Sequence, residues 1–322
     1  MSLRVPKQYL PALVTALVCL LLYGTGCVLY PGFLSARVLT NFFSDNAFLG
    51  VAAVGMTFVI LSGGIDLSVG AVIGCISILM ATLIQRWHLH PALVIPLVLL
   101  LGVVLGTAMG SLIQFFGLPP FLVTLAGLFF CRGVGLLISA ESISITHPLF
   151  QKAARFSFHL GAVSVPLTAC LFLLILAVAF YVSLFTRFGR NVYAVGGSET
   201  SSLLMGLPTN QTKVMVYAAS GFCSAFAAVV YTIYTSSGNA TAGVGLELDA
   251  IAAVVIGGTL LTGGVGYVSG TLVGVLIFGI IQTGISFQGT LSSWWTKIAI
   301  GILLLLFIVL QKFLNQRLLG RR

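Results

Sequence analysis

Four stretches of this chain, each longer than 30 residues, contain no Asp, Glu, Lys or Arg. Each is longer than the roughly 20 residues that a helix needs to cross the hydrocarbon core of a bilayer. Uncharged segments of this length cannot form the surface of a water-soluble domain, so the chain is predicted to lie in a membrane. The first and last stretches are long enough for two crossings each. The stretches are residues 87–131, 156–186, 214–246 and 250–296.

The composition supports the same conclusion and limits the partners. Only 7% of the residues are charged and 59% are hydrophobic, whereas roughly a quarter are charged in ordinary soluble domains. The formal net charge is +9, but the basic residues stand at the ends of apolar segments rather than in one solvated patch. We therefore expect them to orient the chain in the membrane, and we expect no nucleic-acid partner.

Glycine, proline and charged residues divide the chain into about ten predicted membrane helices. The expected fold is all-α, a polytopic helical bundle that forms a single transmembrane domain over residues 1–322. The first helix is too long for the core of a signal peptide, which has roughly 7 to 15 residues. The predicted spans are residues 10–29, 46–61, 69–84, 91–113, 119–137, 162–185, 214–234, 250–261, 265–285 and 294–313.

An even number of spans places both termini on one side of the membrane. If that side is the cytoplasm, it receives more cations than the outer loops, as the positive-inside rule requires. Two loops are long enough to do more than connect helices, an outer, periplasmic one at 139–160 and an inner, cytoplasmic one at 186–213. The inner cations are Arg4, Lys7, Arg187, Arg190, Lys213, Lys312, Arg317, Arg321 and Arg322, and the outer ones are Arg37, Arg86, Lys152 and Arg155.

The two halves of the chain share a pattern at a fixed offset of 200 residues. Such repeats are typical of transporters, whose pathways lie at the interfaces between repeats, although glycine-rich hairpins can also look alike by chance. The pattern makes Gly63, Gly64, Gly263 and Gly264 candidates for a pathway or gate. The matching positions are 51–54 with 251–254, 61–65 with 261–265, and Gly70 and Gly74 with Gly270 and Gly274.

No enzyme motif is present. The chain lacks the glycine-rich phosphate loop G-x-x-x-x-G-K-[ST] and the Gly-x-Ser-x-Gly elbow of hydrolases. Its six carboxylates lie in loops or near predicted helix ends, whereas an ion-coupled carrier usually keeps one at mid-membrane. The sequence therefore predicts a non-enzyme without cofactor or metal that receives its energy from another subunit.

Two polar groups are candidates for the pathway. Asp66 and Ser68 precede the third span, where they could cap the helix or form part of a gate beside Gly63 and Gly64. Arg132 lies inside the fifth span after Thr124, and an intramembrane guanidinium needs a carboxylate, water or the interface. An ion pair and a donor that faces the substrate both remain open for Arg132.

Trp294 and Trp295 begin the last span. A position in the interfacial aromatic belt is expected there, and a place at the pathway mouth, where a sugar ring could stack on an indole, remains open.

The inner loop contains the signals of a short helix. Ser198 is a favourable N-cap, Glu199 suits the first turn, and Gly206 with Pro208 ends the helix. A helix this short cannot stand alone in water. It must dock either on its own membrane domain or on a partner.

The longest recognisable motif is Gly55-Met-Thr-Phe-Val-Ile-Leu-Ser-Gly-Gly-Ile-Asp-Leu-Ser-Val-Gly70. With it, residues 120–133, 188–206 and 253–258 resemble the permease family of ribose, xylose and arabinose type ABC importers over nearly the whole chain. The closing run 289–297 is most similar to permease subunits of galactofuranose importers.

This resemblance implies a set of partners. They are a cytoplasmic ABC ATPase, a periplasmic sugar-binding protein, a second permease subunit and a monosaccharide substrate. The loop after the sixth span would couple to the ATPase, which assigns that role here to Gly196, Gly197, Ser198, Glu199 and Gly206. The chain departs from the family by having Ser198 and Ser201-Ser202 where Asn and an Ala pair are common. The rival hypotheses are a stand-alone ion-coupled sugar carrier and a structural scaffold.

Overall fold

The computed structural model describes residues 10–160, 163–290, 292 and 294–319, which form a helical bundle with four short strands. The helices are α1 (Leu10–Leu29), α2 (Ala36–Asp45), α3 (Ala47–Leu61), α4 (Val69–Gln85), α5 (Pro91–Phe115), α6 (Pro120–Ile138), α7 (Pro148–Arg155), α8 (Leu167–Phe185), α9 (Arg187–Gly197), α10 (Glu199–Leu204), α11 (Thr209–Thr235), α12 (Leu246–Ile256), α13 (Val268–Gln288) and α14 (Trp294–Leu319). The strands are β1 (Ile143–Ser144), β2 (Ser157–Leu160), β3 (Val163–Pro166) and β4 (Ser237–Gly238).

The all-α membrane bundle is confirmed, whereas the number of crossings stays a prediction. Within the described residues, five helices are long and apolar enough to cross a membrane, namely α5, α6, α8, α11 and α13. The pair α2 and α3, bent by 54° at Asn46, makes a sixth if it is one span. The other four predicted spans correspond to α1, α4, α12 and α14.

Several predicted boundaries were wrong, and a local backbone feature explains three of them. Helix α12 ends at Ile256 rather than at 261, because Gly258 adopts a positive φ of +96°. Helix α8 begins at Leu167, because residues 163–166 pair with 157–160 as an antiparallel hairpin. Helix α11 begins at Thr209, directly after Pro208.

The centre of the bundle is built from α3 and α11. Every residue of α3 except Phe48 is buried, and α11 packs on α3, α4 and α5. Small residues let α5 and α11 approach closely, as is common between membrane helices. A Cβ atom at Gly102 would lie 2.5 Å from the Gly221 carbonyl oxygen of α11.

The loops at the Asp45 end of α3 are tied together. Strand β1 of the loop 139–160 pairs with β4, which follows α11. The chain then returns into the bundle, and the Ser77 hydroxyl of α4 donates to the Asn239 carbonyl at 3.0 Å. The charges at Arg4, Lys7, Arg321 and Arg322, on which the predicted orientation partly depends, lie outside the described residues.

Candidate functional site

The glycine pairs of the two hairpins meet at one point, together with the glycine pair of the loop 186–213. We call Gly63, Gly196, Gly263 and Gly264 the glycine junction. The Gly264 amide donates to the Leu61 carbonyl at 2.9 Å. A Cβ atom at Gly263 would lie 2.8 Å from the Gly63 nitrogen, and one at Gly196 would lie 2.6 Å from the Gly264 nitrogen. The gate candidates and the coupling candidates are therefore in direct backbone contact.

The backbone at the junction requires glycine at several positions. Gly63, Gly263 and Gly264 have φ values of +82°, +84° and +73°, in the left-handed region that side chains rarely adopt. Gly64 does not have a positive φ, but a Cβ atom there would lie 2.6 Å from the Tyr217 hydroxyl. The paired glycines thus serve both conformation and close approach.

The predicted short helix of the inner loop is confirmed as α10. The Ser198 hydroxyl caps it by accepting from the Ser201 amide at 3.2 Å, and Gly206 turns the chain with a φ of +75°. Glu199 forms an ion pair with Lys213 of α11 at 2.6 Å. No heavy atom of a neighbour lies within 4 Å of where a Cβ would sit at Gly197 or Gly206. These two glycines are therefore not crowded, in contrast to Gly196.

Helix α9 is anchored to both hairpins. The Tyr193 hydroxyl donates to the Gly266 carbonyl at 3.0 Å, and Phe188 contacts Phe58 of α3 with ring centroids 5.9 Å apart. Burial, followed by the nearby Tyr267, raises the pKa of Tyr193 to about 12. The phenol therefore keeps its proton at neutral pH and remains a donor.

Asp66 is a buried acceptor that joins the first hairpin to α11. It is 1% exposed. Its Oδ1 accepts from the Ser68 amide at 2.9 Å and from the Ser68 hydroxyl at 2.6 Å, and its Oδ2 accepts from the Ser220 hydroxyl at 2.7 Å. The bond to the Ser68 amide forms a turn just before α4. The N-cap residue of α4, Ser68, makes no side-chain capping bond, so the predicted cap does not form. A gate role stays a prediction.

Arg132 lies in a second cluster, where it holds the backbone after α11. Its Nη1 donates to the carbonyls of Ala240 at 2.6 Å and Ala242 at 3.0 Å. Among the described residues, no carboxylate oxygen lies within ion-pair distance of Arg132, and the buried Oε2 of Glu247 accepts no hydrogen bond. Of the two alternatives that the sequence left open for Arg132, the ion pair is not formed within the described residues, and the guanidinium donates to carbonyls instead.

Thr124 does not present a free hydroxyl. It is fully buried, and its Oγ1 donates to the Pro120 carbonyl of its own helix at 2.8 Å. Neither Thr124 nor Arg132 lines the cavity that lies beside Gly63, Gly64 and Gly196.

A cavity of about 230 Å³ lies at the glycine junction. It brings Gly63, Gly64, Gly196 and Glu199 together with Lys213 and Tyr217 of α11. The Tyr217 hydroxyl also donates to the Ile65 carbonyl at 3.3 Å. Helix α11 thus contacts both the short helix α10 and the hairpin that carries Asp66.

Comparisons with known proteins decide the family. Residues 38–308 match the family model described as branched-chain amino acid transport system / permease component. The chain is 51% identical over 310 residues to the inner membrane ABC transporter permease protein YjfF of Escherichia coli, covering 96% of this chain and 94% of that protein. It is 38% identical over 289 residues to the ribose import permease of Haemophilus influenzae, covering 89% and 88%, and 37% identical over 321 residues to the fructose import permease of Bifidobacterium longum, covering 96% and 92%.

The chain belongs to the ABC sugar-importer permease family. This confirms the resemblance recognised in the sequence and the expectation that the chain is not an enzyme. No solved structure matches the chain.

Sequence reasoning missed three residues of this permease that connect α11 to α10 and to the first hairpin. Lys213, Tyr217 and Ser220 lie at helical spacing on one face of α11 and reach Glu199, the Ile65 carbonyl and Asp66 respectively. Polar residues at positions i, i+4 and i+7 of an otherwise apolar span are the signal that could have found them.

Proposed function

We propose that this permease is the transmembrane subunit through which an ABC importer moves a monosaccharide into the cytoplasm. The substrate is galactofuranose or another furanose or pentose. A separate cytoplasmic ABC ATPase supplies the energy, a periplasmic sugar-binding protein delivers the sugar, and a second permease subunit, identical or different, completes the membrane part. Relatives that carry ribose and fructose support the assignment to sugars.

The proposal includes the orientation in the bacterial inner membrane. Both termini and the loop 186–213 face the cytoplasm, the loop 139–160 faces the periplasm, and residues 1–322 form one domain of about ten crossings. In this arrangement the ATPase docks on the inner loop through Gly196, Gly197, Ser198, Glu199 and Gly206.

The observation that carries the proposal is the glycine junction. Gly196 of the docking segment packs against Leu61 and Gly264, the ends of the two hairpins. Because atoms in van der Waals contact cannot be compressed further, a push on α9 and α10 displaces both hairpins together. Closure of the ATPase thereby switches the bundle between outward and inward openings.

A second connection runs through α11. The ion pair between Glu199 and Lys213 joins α10 to the start of α11. Further along the same face, Tyr217 and Ser220 hold the hairpin that contains Asp66. Movement of α10 therefore reaches Asp66 through one rigid helix.

The pathway or gate residues of the proposal lie on both hairpins and on α6. The sugar passes along a path of small and polar groups that need not bind tightly, since the binding protein supplies capture. The residues are Gly63, Gly64, Asp66, Ser68, Thr124, Arg132, Gly263 and Gly264.

Charge reversal at the ion pair tests the coupling. In the complex reconstituted with ATPase and binding protein, Glu199→Lys and Lys213→Glu should each lower sugar-stimulated ATP hydrolysis by about fivefold or more, equivalent to ~1 kcal/mol of coupling. The double swap should restore part of it. A partly exposed pair contributes only about 0.2–1 kcal/mol to stability, so the thermal midpoint of the variants should change little.

Lys152→Glu on α7 is the matched control, because it reverses one exposed charge in the loop 139–160. Equal loss in the control and in the Glu199 variant would mean that net charge matters and the ion pair does not. Unchanged coupling in both single variants would contradict the proposed docking.

The rival is an ion-coupled carrier that acts alone. It is tested with the purified chain in vesicles that contain no ATPase. Uphill sugar uptake driven by a proton or sodium gradient would overturn the proposal, whereas uptake only after addition of ATPase, binding protein and ATP supports it.

A further inference from the structure

A second, larger cavity lies at the other end of α3. Its volume is about 440 Å³, and its walls include Asn46 and Leu49 near the start of α3 together with residues of α12, α13 and α14. We call it the mouth cavity. The glycine junction follows the last residue of α3, Leu61. At 1.5 Å per residue the two sites are about 20 Å apart along this helix.

The mouth cavity is lined by polar atoms that the protein does not satisfy. Oδ1 of Asp45 accepts from the hydroxyls of Tyr234 and Ser44, both at 3.2 Å, while Oδ2 accepts no hydrogen bond from the described residues. Asn46 is 5% exposed, and its Nδ2 donates to the Phe42 carbonyl at 3.2 Å. Its Oδ1 and the side-chain amide of Gln282, an exposed residue, form no hydrogen bond with the described part of the chain and are open to a ligand. A ligand with several hydroxyl groups would satisfy these donors and acceptors at once.

The charges in the cavity disfavour anionic ligands. Asp249 forms an ion pair with Lys297, which leaves Asp45 as an unmatched negative charge in the lining. A phosphate or a free carboxylate would be repelled there. The described residues contain no group of three or more acidic, His or Cys side chains that could hold a metal ion. The lining thus disfavours anions, and its free acceptors and amide suit a ligand rich in hydroxyls.

The cavity also offers aromatic surface. Trp294, a residue that is 74% exposed, lines the cavity together with Phe48 and Phe278. A sugar presents an apolar C–H face to such rings and its hydroxyls to polar side chains. The volume is near the lower end of the range for ligand pockets, roughly 300–1,000 Å³, which suits a single sugar ring.

We propose that the mouth cavity is a monosaccharide-binding subsite of this permease, with Asp45, Asn46 and Gln282 as hydroxyl partners and Trp294 as the stacking surface. The inference rests on the proposed function only in taking a sugar as the transported molecule. It adds a receiving site at the end of the bundle opposite the glycine junction. It also assigns Trp294 to this site rather than to the interfacial belt alone.

The experiment measures direct binding to the purified chain in lipid nanodiscs, without ATPase or binding protein. The probes are D-ribose, D-fructose and D-galactose, with leucine as the non-sugar control. Tryptophan emission is the readout, since the chain has three tryptophans. A saturable change with at least one sugar is expected in the parent chain and in Trp295→Phe, and its loss is expected in Trp294→Phe. Saturation by leucine equal to that by the sugars, or no saturation by any sugar, overturns the inference.

Two further variants separate ligand contact from structural damage. Asp45→Asn should weaken sugar binding about tenfold, as expected for the loss of a charged acceptor. Tyr234→Phe removes the internal bond to Asp45 but leaves the acceptor in place, so it should bind like the parent chain. Gln282→Ala gives an independent reading if Asp45→Asn does not fold. Wild-type affinity in both Asp45→Asn and Gln282→Ala would contradict the site.

Uptake by the assembled complex distinguishes failure of this site from failure of the proposed function. Normal ATP-driven uptake without measurable binding to the chain removes the mouth subsite alone. Sugar binding without ATP-driven uptake in the complete complex leaves the subsite and removes the importer.

Discussion

The hairpin between α3 and α4 and the hairpin between α12 and α13 share a sequence pattern but differ in conformation and in what holds them. Gly63 and Gly263 have nearly the same φ, +82° and +84°, whereas Gly264 is left-handed and Gly64 is not. At the position of Asp66 in the first hairpin, the second has Gly266. Side-chain bonds of Asp66 fix the first hairpin, and a backbone carbonyl that accepts from Tyr193 fixes the second.

Helix α9 contacts both hairpins, but the hydrogen bonds that hold each hairpin come from a different helix. The first hairpin is bound by α11 through Ser220 and Tyr217, and the second by α9 through Tyr193. A docking partner that pushes on α9 and α10 would act on both hairpins through Gly196. It would also act on the second hairpin through Tyr193 and on the first through α11. Substitutions on each side should separate the two connections.

The largest effect is expected from Asp66→Ala. The change leaves the Ser68 amide and the hydroxyls of Ser68 and Ser220 without their acceptor in a buried site. Each unsatisfied buried donor costs about 1–3 kcal/mol, so the free energy of unfolding should fall by about 3 kcal/mol or more, measured by denaturant titration in mixed micelles. A double-mutant cycle with Ser220→Ala provides the control. Strictly additive effects would show that the Asp66 bond to Ser220 does not stabilise the hairpin.

The next effect is expected from Gly196→Ala. A Cβ atom there would collide with the Leu61 carbonyl and lie 2.6 Å from the Gly264 nitrogen, and such overpacking typically costs about 1–3 kcal/mol. Gly197→Ala is the matched control, since nothing lies within 4 Å of its added Cβ atom. Both thermal stability and ATPase coupling should fall for Gly196→Ala and stay near the parent value for Gly197→Ala. The same loss in both variants would mean that the glycine junction is not the crowded point.

A smaller effect should separate the two halves of the repeat. Gly63→Ala introduces left-handed strain of about 1–2 kcal/mol, but the nearest atom to its Cβ is 3.8 Å away. Gly263→Ala has the same strain and in addition contacts the Gly63 nitrogen at 2.8 Å. We expect Gly263→Ala to be the less stable variant by about 1 kcal/mol or more in the same titration. The reverse order would show that the hairpins do not pack as described.

The sequence predicted the parts of this site that depend on local chemistry. The cap at Ser198, the turn at Gly206 and the need for glycine at Gly63 and Gly263 follow from side-chain oxygens and backbone conformation, which neighbours along the chain decide. The repeated glycines indicated which positions are closely packed, but not which segment of the chain packs against each of them. Gly70 packs on the Gly243 carbonyl after α11, whereas its counterpart Gly270 packs on the Gly257 carbonyl at the end of α12.

The partners of Asp66 and Arg132 could not be predicted in the same way. Both bonds join residues more than 100 positions apart, Asp66 with Ser220 and Arg132 with Ala240. A carbonyl is available at every residue, so the sequence pattern cannot single out Ala240. Nothing in the sequence distinguishes the hydroxyl of Ser220 from those of the many other serines and threonines as the partner of Asp66. Tertiary packing selects these contacts. The packing of α11 on α3 and α4 brings Ser220 to Asp66, and the packing of α4 on both α6 and β4 brings Ala240 to Arg132.

The smallest effect is expected from Tyr193→Phe, which removes the direct connection from α9 to the second hairpin. Loss of one hydrogen bond costs about 0.5–1.5 kcal/mol. Because burial raises the pKa of Tyr193 to about 12 from its ordinary 10.0, the folded state favours the neutral phenol. That contribution is full below pH 10 and is lost as the pH rises from about 10 to 12. Stability measured against pH should therefore fall less steeply for Tyr193→Phe than for the parent chain in this alkaline range.

Tyr234→Phe, at the other end of the bundle, is the control for removal of a phenol. If coupling falls in Tyr193→Phe but not in Tyr234→Phe, with the hairpin glycines intact, the second hairpin is driven by α9. If both variants couple normally, the backbone contacts of Gly196 alone carry the push.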